Sequence, residues 1–112
     1  MDNTLNYQSI IIDLLNEYAA FWKSTRGIQH QVIADKEQQH YQLVMLGWQD
    51  GKRYVHTLAF HIDIIDGKVW IQQNNTEALI ADELVAAGVQ KNDIILGFIA
   101  PEARQYTGFA VA

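Results

Sequence analysis

The chain of 112 residues contains no cysteine, which excludes disulfides, thiolate catalysis and every cysteine-based zinc or iron–sulfur site. No apolar run approaches the ~20 residues that a membrane span needs, and the first residues lack the basic and apolar segments of a signal peptide. With one proline, seven glycines and 49% hydrophobic residues, the composition is that of a folded globular protein. We therefore expect a single cytoplasmic domain over residues 1–112 that does not associate with membranes.

Positive charge is also scarce. The chain has eight Lys and Arg residues against thirteen Asp and Glu residues, for a formal net charge of −5. The imbalance is strongest in the second half, where residues 57–112 contain seven acidic and three basic side chains. Such a field repels phosphate backbones. We expect contact with DNA to be weak or indirect, through a protein partner.

Hydrophobic periodicity predicts one long helix followed by four strands. Between residues 5 and 23 apolar residues recur every three or four positions, which is the pattern of an amphipathic helix. Alternating apolar residues and the tight turns at Asp50-Gly51 and Asp66-Gly67 then predict antiparallel strands at 28–35, 40–48, 53–65 and 68–73. On the third strand, alternation predicts one face with His56, Leu58, Phe60, Ile62 and Ile64; on the fourth, it places Gln73 with Val69 and Ile71.

A second helix and a tail complete the predicted layout. Asn74 and Glu77 have the spacing of a capping box that would start this helix, and Gly88 is placed to end it. A short extended segment at 93–98 and an aromatic tail at 100–112 follow. Helices on one face of an antiparallel sheet form a two-layer α+β sandwich, which is the predicted fold class.

Candidate catalytic residues are few. The four histidines, at positions 30, 40, 56 and 61, are predicted to lie on different strands and faces, so no metal site is predicted. His61 with Asp63 is the exception, because residues two apart on a strand share a face. The carboxylates of Asp63 and Asp66 are otherwise expected to be solvated. Since neither a serine nucleophile with a nearby base nor a glycine-rich phosphate loop occurs, we predict no catalytic, cofactor-binding or metal residue.

Aromatic residues are more informative. They persist to the end of the chain, where a disordered terminus would be polar, so we expect the tail to dock in a core or an interface. Because Arg, Tyr and Trp dominate binding hot spots, the predicted partner-binding residues are Trp48, Trp70, Arg104, Tyr106 and Phe109. The segment 44–48 is apolar on both faces, and a two-layer sandwich leaves one sheet face uncovered. These features predict a homodimer.

Several segments together carry a family resemblance: YQL at 41–43, GW at 47–48, HIDI at 61–64, DGKVWIQQ at 66–73, TE at 76–77, IADELVAAGV at 80–89, IILGF at 94–98 and YTGFAVA at 106–112. With these motifs the chain resembles the XisI family, controlling factors required for excision of the fdxN element in cyanobacteria. The resemblance implies an α+β two-layer fold and a non-enzymatic regulatory role in site-specific DNA rearrangement. It also implies action with a recombinase and with XisH, a companion similar to restriction-type nucleases.

Two other function classes remain open at this stage. One is a direct DNA-binding directionality factor with a local basic patch around Arg26, Lys52, Arg53 and Lys68. The other is a small enzyme or ligand-binding module that uses the face of His61 and Asp63. An inhibitory variant of the leading hypothesis, in which the acidic surface mimics DNA to silence a nuclease, is also compatible with the charge.

Overall fold

The computed structural model describes residues 4–22 and 26–111. Its elements, in chain order, are α1 Thr4–Phe21, β1 Ile28–Asp35, β2 His40–Gln49, β3 Arg53–Ile65, β4 Lys68–Asn74, α2 Ile80–Ala87 and β5 Ile94–Leu96. Two 3₁₀ helices, Lys91–Asp93 and Pro101–Tyr106, flank the last strand, and the second is here called the tail helix. No helix within the described residues is long and apolar enough to cross a membrane. The predicted α+β architecture of a sheet with packed helices is confirmed.

All five strands form one sheet in the order β1-β2-β3-β4-β5. The first four are joined by tight turns and pair antiparallel, as predicted. The fifth pairs parallel to β4, with Val69 opposite Ile94. Parallel neighbours need a crossover connection, and α2 lies within the segment that supplies it. Strand β5 therefore adds a parallel edge to an otherwise antiparallel meander.

The hydrophobic core lies between the helices and one face of the sheet. From the helices, Tyr7, Ile11, Leu15, Ile80 and Leu84 are almost fully buried. They belong to one cluster with sheet residues that include Tyr41, Leu43, Phe60, Ile62, Val69, Ile71 and Ile94. Burial of each large aliphatic or aromatic side chain stabilises the fold by about 1.5–3 kcal/mol relative to exposure. The opposite side of the sheet is here called the open face, since α1 and α2 both pack on the core side.

Two β-bulges change which residues share a face. The register shifts between Leu43 and Val44, which leaves Ala59 of β3 without a partner on β2. It shifts again between His61 and Ile62, which makes Gln72 the extra residue of β4. Because a bulge reverses the alternation beyond it, the prediction that His56 and Leu58 share the face of Phe60 is wrong. For the same reason Gln73, which pairs with His61, does not share the face of Ile71.

Helix boundaries were predicted less well than strand boundaries. The predicted first helix extends to residue 23, which lies outside the described residues, whereas α1 ends at Phe21. The predicted capping box of α2 is wrong because Asn74 is the last residue of β4. Its Oδ1 accepts hydrogen bonds from the Thr76 amide and hydroxyl at 2.9 and 2.7 Å, an Asx-type turn, and α2 begins only at Ile80. Gly88 does end α2, as predicted, with its N–H bonded to the last turn.

Candidate functional site

Three polar side chains meet on the open face, at the start of β2 and near the end of β3. His40 of β2 is the register partner of Asp63 of β3, and His61 lies two residues before Asp63. The Nδ1 atom of His40 is 2.7 Å from Asp63 Oδ1, and Nε2 of His61 is 2.9 Å from the same oxygen. Direct strand partners and residues two apart project from the same face. These residues are here called the His–Asp cluster.

Asp63 is the buried centre of the cluster, at 7% exposure. Its second oxygen, Oδ2, accepts a hydrogen bond of 3.2 Å from the side-chain amide of Gln72, the bulged residue of β4. A buried carboxylate is costly unless several donors satisfy it, and here three side chains contribute. The expectation that the Asp63 carboxylate is solvated is wrong, while the predicted pairing of His61 with Asp63 is confirmed.

The expectation that the histidines do not converge is wrong for His40 and His61. Without the bulge at Ala59, the register of the β2–β3 hairpin would place His40 opposite Ile62. The extra residue moves it opposite Asp63 and brings a second imidazole to the carboxylate. Sequence alternation alone cannot locate such a bulge. The only feature of the sequence that pointed to this cluster is the two-residue spacing of His61 and Asp63.

The cluster borders a cavity of about 380 Å³ lined by Ile33, Asp35, His40, Gln42 and His61. Both imidazoles therefore reach an open space. Within residues 4–22 and 26–111, the His–Asp cluster is the one group of three or more potential metal ligands whose ligand atoms lie within 4.8 Å of one another. Among the described residues, these three side chains are the group that fits a metal ion.

Arg104 fastens the tail to the sheet. From the tail helix, its guanidinium carbon lies 5.2 Å from the centroid of the Trp70 ring on β4. Its Nε donates to the carbonyl oxygen of Ile99 at 2.9 Å, and Nη2 donates to that of Gly97 at 3.3 Å. Two of the predicted partner-binding residues thus meet, but they contact each other within the chain.

The other predicted partner-binding residues lie apart. Phe109 packs against the hydrophobic core, with Lys91 Nζ 5.3 Å from its ring. Tyr106, at the end of the tail helix, is 82% exposed. Trp48 is 58% exposed and contacts the 52% exposed Tyr54 across the β2–β3 hairpin, with ring centroids 5.3 Å apart. The five residues do not form one surface, and their binding of a partner stays a prediction.

The structure brings together only part of the candidate basic patch. Arg53 begins β3, while Lys68 pairs with the last residue of that 13-residue strand. At about 3.3 Å per residue the two cations are roughly 40 Å apart. Arg26 forms an ion pair with Asp50, and this hydrogen-bonded guanidinium lowers the pKa of the Asp50 carboxyl. Lys68 is therefore far from Arg26, Lys52 and Arg53, which lie around the β2–β3 turn, and Arg26 is paired with Asp50. This arrangement disfavours a phosphate-binding surface built from all four residues.

Comparison with known proteins places the chain in a family. The family model described as XisI protein matches residues 1–111. The chain belongs to the XisI family. It is similar to the crystal structure of a XisI-like protein from Anabaena variabilis ATCC 29413, with a TM-score of 0.90 and 43% identity over 97% of this chain and 99% of that chain. The resemblance inferred from the sequence motifs is confirmed.

A second structure extends the similarity. The fdxN element excision controlling factor XisI from Anabaena variabilis ATCC 29413 superposes with a TM-score of 0.82 and 33% identity, covering 99% of this chain and all of that one (100%). No curated protein matches the chain. The matches extend over nearly the whole length of both structures. The sheet and the helices described above are therefore shared with these two XisI-family structures.

Proposed function

We propose that this protein is a non-enzymatic controlling factor for the excision of a DNA element, and that it acts by binding a protein partner. The observation that carries the proposal is the match over nearly the whole chain to the fdxN element excision controlling factor XisI. The same similarity covers all the elements of the fold, so no part of this chain stands outside it.

The charge distribution favours a protein partner over direct DNA binding. The net charge of −5 repels phosphates, and of the four candidate basic residues Lys68 lies far from the others and Arg26 is paired with Asp50. A protein that handles DNA carries a basic surface of its own, which would attract this acidic domain. An XisH-like protein of the nuclease class implied by the family resemblance fits this description.

Tyr106 is the exposed aromatic contact that we assign to the companion protein, because it projects from the tail helix at 82% exposure. The exposed pair of Trp48 and Tyr54 on the hairpin is assigned to a second copy of this chain. Tyr and Trp are enriched at interface hot spots because they bury a large area with few rotatable bonds. Arg104 contributes indirectly, since its hydrogen bonds hold the tail in place.

Co-purification tests the partner. An untagged XisH-like protein is co-expressed with the tagged chain, and its retention is compared for the wild type, Tyr106→Ala and Phe21→Ala. Phe21 is a matched control because it is an aromatic residue of similar exposure, 81%, at the end of α1. We expect loss of the companion with Tyr106→Ala and retention with Phe21→Ala. Equal retention by both variants would place the contact elsewhere.

An excision assay tests the role itself. A reporter carrying the element and its recombinase is scored for excision with and without this protein, and then with Tyr106→Ala. We expect excision to depend on the protein and to fall with the variant that loses the partner. A gel-shift titration of DNA from the end of the element with the isolated protein, at low salt, tests the alternative of direct DNA binding. That alternative predicts salt-dependent binding without any companion protein.

A further inference from the structure

We propose that His40, His61 and Asp63 form a binding site for a divalent transition metal ion, with Zn²⁺ as its probe. The site lies on the open face of the sheet and is independent of the proposed partner contacts. Two imidazoles and one carboxylate are a common set of protein ligands for such ions, and three protein ligands leave a coordination position open.

The geometry needs little adjustment to hold an ion. Atoms bound to one Zn²⁺ at about 2.0–2.2 Å lie about 3–3.5 Å from one another. The two imidazole nitrogens are now 2.7 and 2.9 Å from Asp63 Oδ1. All three ligand atoms lie within 4.8 Å of one another. Rotations of these side chains, which are anchored to paired strands, would place the three atoms around an ion.

Proton balance is straightforward. In the hydrogen-bonded arrangement Nδ1 of His40 and Nε2 of His61 donate to the carboxylate. To bind a metal ion, each of these nitrogens presents a lone pair, and the ring proton is carried by the other nitrogen of the same imidazole. The metal ion then takes the place of the two N–H hydrogen bonds as the group that interacts with the Asp63 carboxylate.

A supporting contact orients the carboxylate. Gln72 donates from its side-chain amide to Oδ2 of Asp63, which leaves Oδ1 directed at both imidazoles. Hydrogen bonds of this kind fix the ligands of metal sites and raise affinity. Gln72 occupies this position because it is the bulged residue of β4. The two bulges of the sheet therefore both contribute to the same site.

The open position faces a cavity. The space of about 380 Å³ beside His40 and His61 is large enough for water molecules and a small ligand. Asp35, the strand partner of His40, lines this cavity and supplies a further carboxylate near the site. Imidazole ligands favour Zn²⁺ over Mg²⁺ or Ca²⁺, which prefer oxygen ligands.

Zinc titration of the full chain tests the proposal, with the affinity tag removed because a polyhistidine tag binds Zn²⁺ itself. Isothermal calorimetry should give one ion per chain for the wild type. We expect His40→Ala and His61→Ala each to lower the affinity at least tenfold. The side chain of His40 is 53% exposed, so its removal should leave the fold intact, which circular dichroism checks. His56→Ala is the matched control, an exposed histidine on β3 whose register partner is Leu46.

A second measurement identifies the ligands directly. In nitrogen-15 spectra of the imidazole rings, Zn²⁺ should shift the resonances of His40 and His61 and leave those of His30 and His56 unchanged. The absence of Zn²⁺ binding by the folded chain would overturn the proposal. So would binding that His40→Ala and His61→Ala leave unaltered, because the ion would then be held elsewhere.

Discussion

The guanidinium of Arg104 lies 5.2 Å from the ring centre of Trp70, and this contact joins the tail to β4, the strand beside the β5 edge. The chain returns beyond it to pair Ala110 with Ile95 and to pack Phe109 on the core. The tail is therefore part of the fold as well as a candidate binding surface. Deletion of residues 101–112 would remove both roles at once, so single substitutions are the better probes.

Substitution Arg104→Lys should destabilise the protein by roughly 1–2 kcal/mol. Lysine keeps the charge but cannot reproduce the planar stack on Trp70 together with the two hydrogen bonds to the carbonyls of Gly97 and Ile99. Urea unfolding measures the loss. Arg53→Lys, at the exposed start of β3, is the control and should change stability by less than about 0.5 kcal/mol. Equal effects of the two variants would contradict the fastening role of Arg104.

Substitution Gly47→Ala should disrupt the paired ends of β1 and β2. A Cβ atom at Gly47 would lie 2.1 Å from the carbonyl oxygen of Gly27, and the residue has a φ of +141°. Since the atoms that this Cβ would meet are all backbone and cannot rotate away, we expect a loss above about 3 kcal/mol or no cooperative unfolding at all. The control is Gly51→Ala, with a φ of +70° and no atom within 4 Å, which should cost only about 1–2 kcal/mol. Thermal unfolding with similar midpoints for both variants would argue against the close approach.

The pH dependence of stability should include a contribution from His30. Its Nδ1 is buried and has no hydrogen-bond partner among the described residues, and burial lowers the pKa of the ring below its usual 6.5. Below pH 6.5 the unfolded chain takes up a proton that the folded chain does not. The contribution of neutral His30 to the free energy of unfolding is therefore complete above pH 6.5. It is lost as the pH falls through the lower pKa that the ring has in the folded chain.

Substitution His30→Phe removes that titration and should flatten the fall in the free energy of unfolding between about pH 7 and 5. Phenylalanine can keep a ring contact with Trp22, whose ring centroid is 5.8 Å from that of His30. Denaturant unfolding at several pH values provides the measurement, and His56→Phe, at an exposed position, is the control. A proton NMR titration of His30 with a midpoint above 6.5 would contradict the assignment.

A homodimer stays the prediction for the state in solution. Trp48 and Tyr54 expose an adjacent aromatic pair, and such apolar patches are normally covered by a partner surface. Light scattering at micromolar concentration should give twice the chain mass of 12.8 kDa. Trp48→Glu should return the mass to one chain, whereas Phe21→Glu should not. A single-chain mass for the wild type would refute the dimer.

Strand positions were predictable and face assignments were only partly so. The third strand was predicted at 53–65 and observed as Arg53–Ile65, because apolar alternation and the flanking Asp-Gly turns are local signals. The orientation of His56 and Leu58 was wrong because one unpaired residue, Ala59, reverses the alternation. The start of α2 was missed because the Asn74 side chain forms a turn with Thr76 in place of a helix cap.

The sequence by itself determined the two-layer architecture, the four antiparallel strands and membership of the XisI family, since these depend on periodicity, turn residues and motifs read along the chain. Only the tertiary structure decided that His40 joins His61 at Asp63 and that Arg104 stacks on Trp70. Both contacts join residues more than 20 positions apart. They depend on a shifted register and on a tail that returns to the sheet, which local sequence patterns do not encode.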